Sequence, residues 1–278
     1  MADYSNWLLV SDIDGTLNGK NLKLPENNRM AVKEYVNKGG YFTLCSGRNL
    51  QSLTSHYKKL DINTPAIFLN GAGIYDFTTE KMLNYTPLSS EGEDIILDVF
   101  KKEKFVSLSI FEPSMIYNAT YKSLYGYTAS IMNNLDIKTC KTLNDLPRGE
   151  WGKAVFCSSS KKIKELKAFF ENEENSKIFD CCLSSRFTLE LLHNGVNKGS
   201  AVKKLAEILN VDTENTAAIG DYYNDVDMLK SVSHPVCCGQ APDDIKAISE
   251  YVACHCNKGA VADFINYIVS NYIEKSEV

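Results

Sequence analysis

The sequence predicts an α/β protein with a doubly wound, mostly parallel, Rossmann-like core and an inserted α+β cap. Short apolar runs alternate with amphipathic helical segments towards both ends of the 278-residue chain. Strands separated by helices of this length form right-handed βαβ units, which build a parallel sheet covered by helices on both faces. Between residues 81 and 191, short turns separate the strands instead, which favours an antiparallel unit. We therefore predict a core of residues 1–82 and 192–278 around a cap of residues 83–191.

The elements of the core follow from local signals. The first predicted helix, at 25–38, has Pro25 at its start and two glycines directly after its end. An Asn70-Gly71 turn joins a pair of strands within residues 66–76. The other predicted strands of the core are at 7–14, 41–47, 216–221 and 235–239, and its other helices are at 50–60, 198–210, 225–232, 243–251 and from Ala260 onward.

Composition excludes several classes of protein. The net charge of −5 is spread along the chain, without the basic stripe that nucleic-acid binding requires. No apolar run approaches the roughly 18 residues of a transmembrane helix, and the N-terminus lacks the basic region of a signal peptide. Nine cysteines without an export signal indicate free thiols in a reducing compartment. We therefore expect a cytoplasmic protein that binds neither nucleic acid nor membranes, and its oligomeric state stays open.

Two carboxylates, Asp12 and Asp14, follow the first predicted strand. Residues two apart on extended backbone project to the same side, so both can face the crevice beyond the carboxyl ends of the strands. Such a pair can also cap a strand end and its turn. Like charges this close resist ionising together, so we expect a cation or an ammonium group beside them.

Two further segments carry groups that suit an anion. Ser46 and Gly47 follow the next strand, and a hydroxyl beside a glycine N–H is a compact donor set for phosphate oxygens, to which Arg48 can add charge. Lys198 opens a predicted helix, where free N–H groups already favour an anion. A lysine is electrostatically misplaced there unless a negative group lies beside it.

A second acidic segment follows the strand that ends at Gly220. Asp221 comes first, and Asn224 and Asp225 follow one turn later. Mg²⁺ takes one or two protein carboxylates together with phosphate and water oxygens. Asp221 and Asp12 would supply the carboxylates. Asn224 could instead cap the following helix.

These segments occur in a familiar order. The stretch at 12–17 (DIDGTL), the strand end at Ser46, Lys198 and the stretch at 220–225 (GDYYND) resemble the four ordered motifs of the haloacid dehalogenase (HAD) superfamily of phosphatases. The insert between the second and third motifs is similar to the type IIB caps of the Cof-type subfamily. Gln240 stands where such sequences often carry asparagine.

The resemblance implies a Mg²⁺-dependent phosphatase that works through an aspartyl-phosphate. Asp12 would attack phosphorus, and Asp14 would protonate the leaving oxygen and later deprotonate the attacking water. The metal ligands would be the Asp12 and Asp221 side chains and the main-chain carbonyl of Asp14. The phosphoryl group would contact Ser46, Gly47, Lys198 and Asn224, and Asp225 would fix the Lys198 ammonium.

The expected substrate is a small phosphorylated metabolite, and within that class we expect a sugar phosphate. Caps of this kind overhang the site, so substrate contacts are expected from the cap and from the adjacent core loops. The candidate contacts are Arg48, Asn70, Gly71, Arg148, Arg186 and Glu190. Two alternatives remain open: a phosphomutase of hexose phosphates, and a catalytically idle regulator that binds a phosphorylated ligand.

Overall fold

The computed structural model describes residues 3–19, 22–119 and 137–275. In chain order, the strands of these ranges are β1 Leu8–Ser11, β2 Tyr41–Leu44, β3 Ala66–Phe68, β4 Gly73–Asp76, β5 Lys81–Tyr85, β6 Ser107–Phe111, β7 Ile116–Asn118, β8 Ile137–Thr139, β9 Lys153–Cys157, β10 Phe179–Ser185, β11 Thr188–His193, β12 Thr216–Gly220, β13 His234–Cys238 and β14 Tyr251–Ala253. The α-helices are α1 Glu26–Asn37, α2 Leu50–Leu60, α3 Ser90–Lys102, α4 Ser160–Phe170, α5 Lys198–Leu209, α6 Val226–Lys230, α7 Asp243–Lys246 and α8 Ala260–Ile268. None of these helices combines the length and apolar character that a membrane span requires.

The core sheet has five strands in the order β14-β13-β12-β1-β2, and every neighbouring pair is parallel. β1 lies between β2, which follows it in the chain, and β12, which arrives from the far end of the chain. The strand order therefore reverses at β1, and such a switch point opens a crevice at the carboxyl ends of the strands. The segments after β1, β2 and β12 meet at this edge.

Helices cover both faces of the core sheet. Leu8 and Val10 of β1 point to one face, where they belong to the same apolar cluster as buried residues of α5, α6 and α7. Leu9 points to the other face, where α1, α2 and α8 supply the buried partners. Because successive strand residues alternate between faces, a strand buried on both sides must be apolar throughout, as the run from Leu8 to Val10 is. The predicted doubly wound core is confirmed.

A small antiparallel sheet of β3, β4 and β5 lies beside the core sheet. A parallel bridge between Cys45 and Ile67 links the end of β2 to β3. The turn between β3 and β4 is formed by Leu69–Gly71, with Asn70 and Gly71 both at positive φ. The predicted strand pair with a turn at Asn70-Gly71 is therefore present.

The second large sheet has six strands in the order β10-β11-β9-β6-β7-β8. Its pairs are antiparallel, apart from the parallel pair of β7 and β8. Helices α3 and α4 contribute to its apolar cluster, in which Trp151, Phe156 and Phe170 are fully buried. This is the α+β cap that the short turns of the sequence predict.

The predicted boundaries of the cap remain predictions. The first, between residues 82 and 83, falls inside β5, which pairs with β4. The second, between residues 191 and 192, falls inside β11, which pairs with β9 and β10.

One predicted helix is wrong in its second half. The helix expected at 243–251 ends at Lys246, and Tyr251 begins β14. β14 pairs in parallel with β13 and forms an edge of the core sheet. A three-residue strand is too short to show a periodic pattern, so only its tertiary pairing reveals it.

Candidate active site

Asp12 and Asp14 lie where the first motif leaves the core sheet. The Asp12 N–H donates to the Ile219 carbonyl at 3.1 Å, which continues the β1–β12 pairing for one more residue. Asp12 is buried, whereas the Asp14 side chain is 46% exposed. Gly15 turns the chain with φ of +87°, and a Cβ there would lie 2.5 Å from Asp221 Oδ2. Glycine therefore permits the two acidic segments, at Asp12 and at Asp221, to approach each other.

Lys198 is the centre of a buried ion cluster. Its ammonium donates to Asp12 Oδ1 and to Asp225 Oδ1, at 2.6 Å in each case. Asp225 Oδ2 accepts from the N–H groups of Asp221 at 2.8 Å and Tyr222 at 3.2 Å. The Asn197 side chain caps α5 by accepting from the Ser200 N–H, which fixes where the helix and hence the lysine begin. The negative partners that a lysine at a helix N-terminus requires are Asp12 and Asp225.

Burial and crowding shift the pKa values of this cluster. Burial raises the pKa of Asp12 well above its ordinary value, although the Lys198 ammonium favours the carboxylate. Burial lowers the pKa of Lys198, but the charges of Asp12 and Asp225 more than reverse this and hold it well above its ordinary value. Burial, with the Asp225 carboxylate, raises the pKa of Asp221 to about 6. The site therefore holds more negative charge than one ammonium neutralises.

The surplus negative charge on these carboxylates suits the binding of a hard cation. One carboxylate oxygen from each of Asp12, Asp221 and Asp225 lies within 4.8 Å of the others. Both oxygens of Asp225 already accept hydrogen bonds from Lys198 and from backbone N–H groups, which leaves Asp12 and Asp221 as the available carboxylates. An all-oxygen pair of this kind suits Mg²⁺, so the residues fit the ion that the sequence predicts.

The Ser46–Gly47 turn lies beside these carboxylates. Ser46 follows the β2 edge: its N–H donates to the Ile67 carbonyl at 3.1 Å, and its own carbonyl accepts from the Asn70 N–H at 2.9 Å. Ser46 Oγ accepts from the Arg48 N–H at 3.3 Å, so the hydroxyl proton is available to a ligand. This anchored turn presents the predicted phosphate donors to the crevice.

Arg48 binds the side chain of Asp14. Its guanidinium donates to Asp14 Oδ2 at 2.8 Å through Nε and to Asp14 Oδ1 at 2.5 Å through Nη2. A bidentate pair fixes both the position and the plane of a carboxylate. Arg48 was predicted as a substrate contact; in the structure it lines the cavity and also orients Asp14.

A cavity of about 430 Å³ lies between the core edge and the cap. From the core it is lined by Asp12, Asp14, Ser46, Gly47, Arg48, Asn49, Ser52, Asp221, Tyr222 and Asn224. From the cap it is lined by Ser109, Phe111, Lys153, Val155, Cys157, Ser184, Thr188 and Glu190. Lys198 lies behind Asp12 and is not on the cavity wall.

The candidate substrate contacts separate into two groups. Glu190 lines the cavity, and Asn70 lies behind the wall and donates to Glu190 Oε2 at 2.7 Å. Arg186 is not part of the wall, and its guanidinium lies 4.5 Å from the centre of the Phe187 ring. Arg148 is likewise away from the cavity, where it pairs with Glu93 and Asp94.

Gly71 serves packing and does not line the cavity. With φ of +103°, it lies so close to the capping residue of α5 that an added Cβ would be 2.2 Å from the Asn197 carbonyl oxygen. Its lack of a side chain thereby allows the β3–β4 turn to pack against the start of α5 beside Lys198.

Replacing Gly71 with alanine should therefore destabilise the protein and displace Lys198. We expect a loss of about 3–5 kcal/mol in the free energy of unfolding, from the positive φ and from overlap with backbone, and at least tenfold lower turnover. Gly149→Ala is the matched control, because Gly149 has φ of +93° with nothing within 4 Å of an added Cβ. Urea unfolding and a phosphatase assay check both variants; equal effects in the two would contradict the packing role.

Sequence reasoning missed several residues of the site, among them Lys153 and Gln240. Lys153 was not singled out, although a lysine directly before the apolar run 154–157 of a strand is a usable signal. Gln240 was noted only as a departure from the family pattern. Its Nε2 donates to the Gly15 carbonyl at 2.6 Å and to Asp221 Oδ2 at 3.4 Å, and its Oε1 accepts from the Cys256 N–H at 3.0 Å. Gln240 therefore ties two acidic motifs together.

The sequence of the chain is similar to those of known proteins. Residues 9–265 match the family of haloacid dehalogenase-like hydrolases. The chain belongs to this family. It is 26% identical over 288 positions to the 5-amino-6-(5-phospho-D-ribitylamino)uracil phosphatase YwtE of Bacillus subtilis, covering 94% of the chain and 98% of YwtE. It is 22% identical to the pyridoxal phosphate phosphatase YbhA of Escherichia coli, covering 93% of the chain and 97% of YbhA.

A solved structure has the same fold. The HAD subclass IIB sugar phosphatase BT4131 superposes with a TM-score of 0.80 at 19% identity, covering 94% of this chain and 98% of that one. At this identity the likeness establishes the fold. The predicted membership, a HAD phosphatase with a type IIB cap of the Cof-type subfamily, is confirmed, and so is the prediction of a phosphatase.

Proposed function

We propose that the chain is a Mg²⁺-dependent phosphatase that hydrolyses a small sugar phosphate through a phosphorylated Asp12. The observation that carries this proposal is the Lys198-centred cluster, in which Asp12 and Asp221 converge on a cavity beside the Ser46–Gly47 turn. A phosphoryl group in that cavity would have a nucleophile, a hydroxyl donor and an acid or base around it.

The reaction divides into two transfers. A carboxylate oxygen of Asp12 bonds to phosphorus while the bond from phosphorus to the ester oxygen breaks, and Asp14 gives its proton to the departing alcohol. Water then bonds to phosphorus, Asp14 takes a proton from that water, and the bond to Asp12 breaks to free phosphate. Arg48 fixes the plane of the ionised Asp14 carboxylate, which is the form that takes the proton from water in the second transfer; the first transfer requires the protonated form.

The remaining residues of the site hold charge. Lys198 fixes the Asp12 carboxylate through Oδ1, and Asp225 holds the ammonium in place from the opposite side. Ser46, Gly47 and Asn224 donate to the phosphoryl oxygens as their charge redistributes. The Asp12 and Asp221 side chains and the Asp14 main-chain carbonyl would hold Mg²⁺, which would neutralise the phosphate and the surplus carboxylate charge.

The cap wall supports a polyhydroxylated substrate. Ser109, Ser184 and Thr188 place hydroxyl groups on the cavity, and its volume of about 430 Å³ accommodates a hexose monophosphate. Relatives whose names specify a ribitylamino phosphate, pyridoxal phosphate and a sugar phosphate fit the same size class. None of the nine cysteines, all of which lie in the described ranges, forms a disulfide bond, which suits the cytoplasm that we propose as its location.

A panel of phosphate esters tests this function. With Mg²⁺ present, we expect inorganic phosphate from ribose 5-phosphate, glucose 6-phosphate or fructose 1-phosphate, with kcat/KM at least tenfold above that for nucleoside monophosphates. Release of phosphate from none of the esters would contradict the proposal and favour an idle ligand-binding protein. Conversion of glucose 1-phosphate to glucose 6-phosphate without phosphate release would instead indicate a phosphomutase.

Removing divalent cations should abolish turnover. Two unit negative charges ~3.5 Å apart, such as those of a phosphate oxygen and a carboxylate oxygen, repel each other by about 5 kcal/mol at an effective dielectric constant of ~20. Asp12, Asp221 and Asp225 lie close together, so a bound phosphate would face more than one such charge. We expect excess EDTA to stop phosphate release and added Mg²⁺ to restore it. Substantial turnover in excess EDTA would refute the dependence on a metal.

A further inference from the structure

The cap contributes a buried ion pair to the cavity wall. Lys153 on β9 and Glu190 on the adjacent strand β11 are 3% and 6% exposed, and both line the cavity. The Lys153 ammonium donates to Glu190 Oε2. The cavity therefore has a donor and an acceptor of full charge on its cap wall.

Lys153 reaches across the cavity to the core. A Cβ placed on Gly47 would lie 3.1 Å from Lys153 Nζ, so the ammonium lies directly over the Ser46–Gly47 turn. The ring centre of Phe111 is 4.7 Å from the same nitrogen, which fixes it from another side. Among the described residues, Glu190 is the hydrogen-bond partner of this ammonium, which leaves N–H donors for a ligand.

Glu190 is held by both halves of the molecule. Asn70 of the core donates to its Oε2 at 2.7 Å, and the hydroxyl of Ser184 also hydrogen-bonds the carboxylate. Burial raises the pKa of Glu190, but the charge and hydrogen bond of the Lys153 ammonium outweigh it, with a contribution from Ser184, so the pKa lies below its ordinary value. The carboxylate is thus a fixed acceptor on the cavity wall.

Stability alone does not explain such a pair. A buried ion pair loses hydration that its attraction often fails to recover, and apolar residues of similar size serve a core as well or better. The neighbouring wall residues Val155 and Phe111 show that this surface accepts apolar side chains. A charged pair at this point of the wall is explained by a ligand with matching groups.

We propose that Lys153 and Glu190 recognise the leaving group of the substrate. Lys153 donates to an oxygen next to the ester, and Glu190 accepts from a hydroxyl on the same leaving group. The pair then selects polyhydroxylated monophosphates over aryl phosphates, which lack a hydroxyl at that place. This specificity role rests on the proposed phosphatase function and adds a recognition site to it.

The double variant Lys153→Met/Glu190→Gln tests the proposal, because it removes both charges and keeps the side-chain volumes. We expect kcat/KM for the best sugar phosphate of the panel to fall roughly 30-fold or more, mainly through KM. For p-nitrophenyl phosphate, whose leaving group cannot use the pair, we expect a fall at least tenfold smaller than the fall for the sugar phosphate. The matched control is Lys162→Met/Glu165→Gln, which neutralises a more exposed ion pair on α4 of the same cap and should change neither value.

Equal losses on both substrates, or no loss on either, would overturn the recognition role. If circular dichroism shows that the double variant does not fold, the single variant Lys153→Arg replaces it. This variant keeps the positive charge but changes its position, and it should raise KM for the sugar phosphate alone. A wild-type protein that hydrolyses neither ester overturns the proposed function itself. A wild type that cleaves both esters without the expected change of ratio in the variants overturns only the role of the pair.

Discussion

Asp12→Asn is expected to reduce turnover by about 10⁴-fold or more and to leave the fold intact, because it removes the nucleophile. Asparagine has nearly the same shape, and its carbonyl oxygen can still accept from Lys198 at the position of Oδ1. Burial already disfavours the charged form of Asp12, so a neutral side chain should not destabilise the core. Steady-state phosphate release and thermal unfolding measure the two effects.

Asp227→Asn is the matched control for this experiment. Asp227 lies in the same acidic segment as Asp221 and Asp225, but its side chain is exposed. The control should keep wild-type turnover within about twofold, since surface substitutions have small effects. Wild-type rates in Asp12→Asn would refute the role of Asp12 as nucleophile.

Lys198→Met should affect both stability and catalysis. The change leaves Asp12 and Asp225 buried without their common partner. Removing one member of a buried ion pair destabilises by about 3–5 kcal/mol, and misplacement of the Asp12 nucleophile lowers kcat by about 10²-fold. Urea unfolding at neutral pH and phosphate release would measure the two losses.

A second lysine on the same helix provides a control for Lys198→Met. Lys203 is also on α5, but it is exposed. Lys203→Met should change the free energy of unfolding by less than about 0.5 kcal/mol. If Lys198→Met lowered the free energy of unfolding as little as Lys203→Met, the buried ion cluster would not contribute the stability that we expect of it.

The sequence was sufficient to predict the core because the signals for its strands and turns are local. Apolar runs before Asp12, Ser46 and Asp221 mark three strand ends, and parallel strands place their carboxyl ends at one edge. The convergence of these segments with Lys198 could therefore be expected before any coordinates were known. The same reasoning located the turn at Asn70-Gly71, since both residues tolerate positive φ.

The parts that the sequence did not reveal depend on tertiary contacts. The role of Gly71 arises from a backbone that approaches from Asn197, more than a hundred residues away. The pairing of Arg48 with Asp14, and of Lys153 with Glu190, depends on which side chains face one another across a cavity. No local pattern encodes these partners, and a three-residue strand such as β14 gives no periodic signal.

Chemical trapping of the intermediate tests the central claim most directly. During turnover of a sugar phosphate with Mg²⁺, rapid quenching followed by borohydride reduction converts a phosphorylated aspartate to homoserine, which peptide mass spectrometry locates. We predict homoserine at position 12, in an amount that depends on substrate and vanishes in Asp12→Asn. Active enzyme that yields no modified residue, or yields it at another aspartate, would contradict phosphoryl transfer through Asp12.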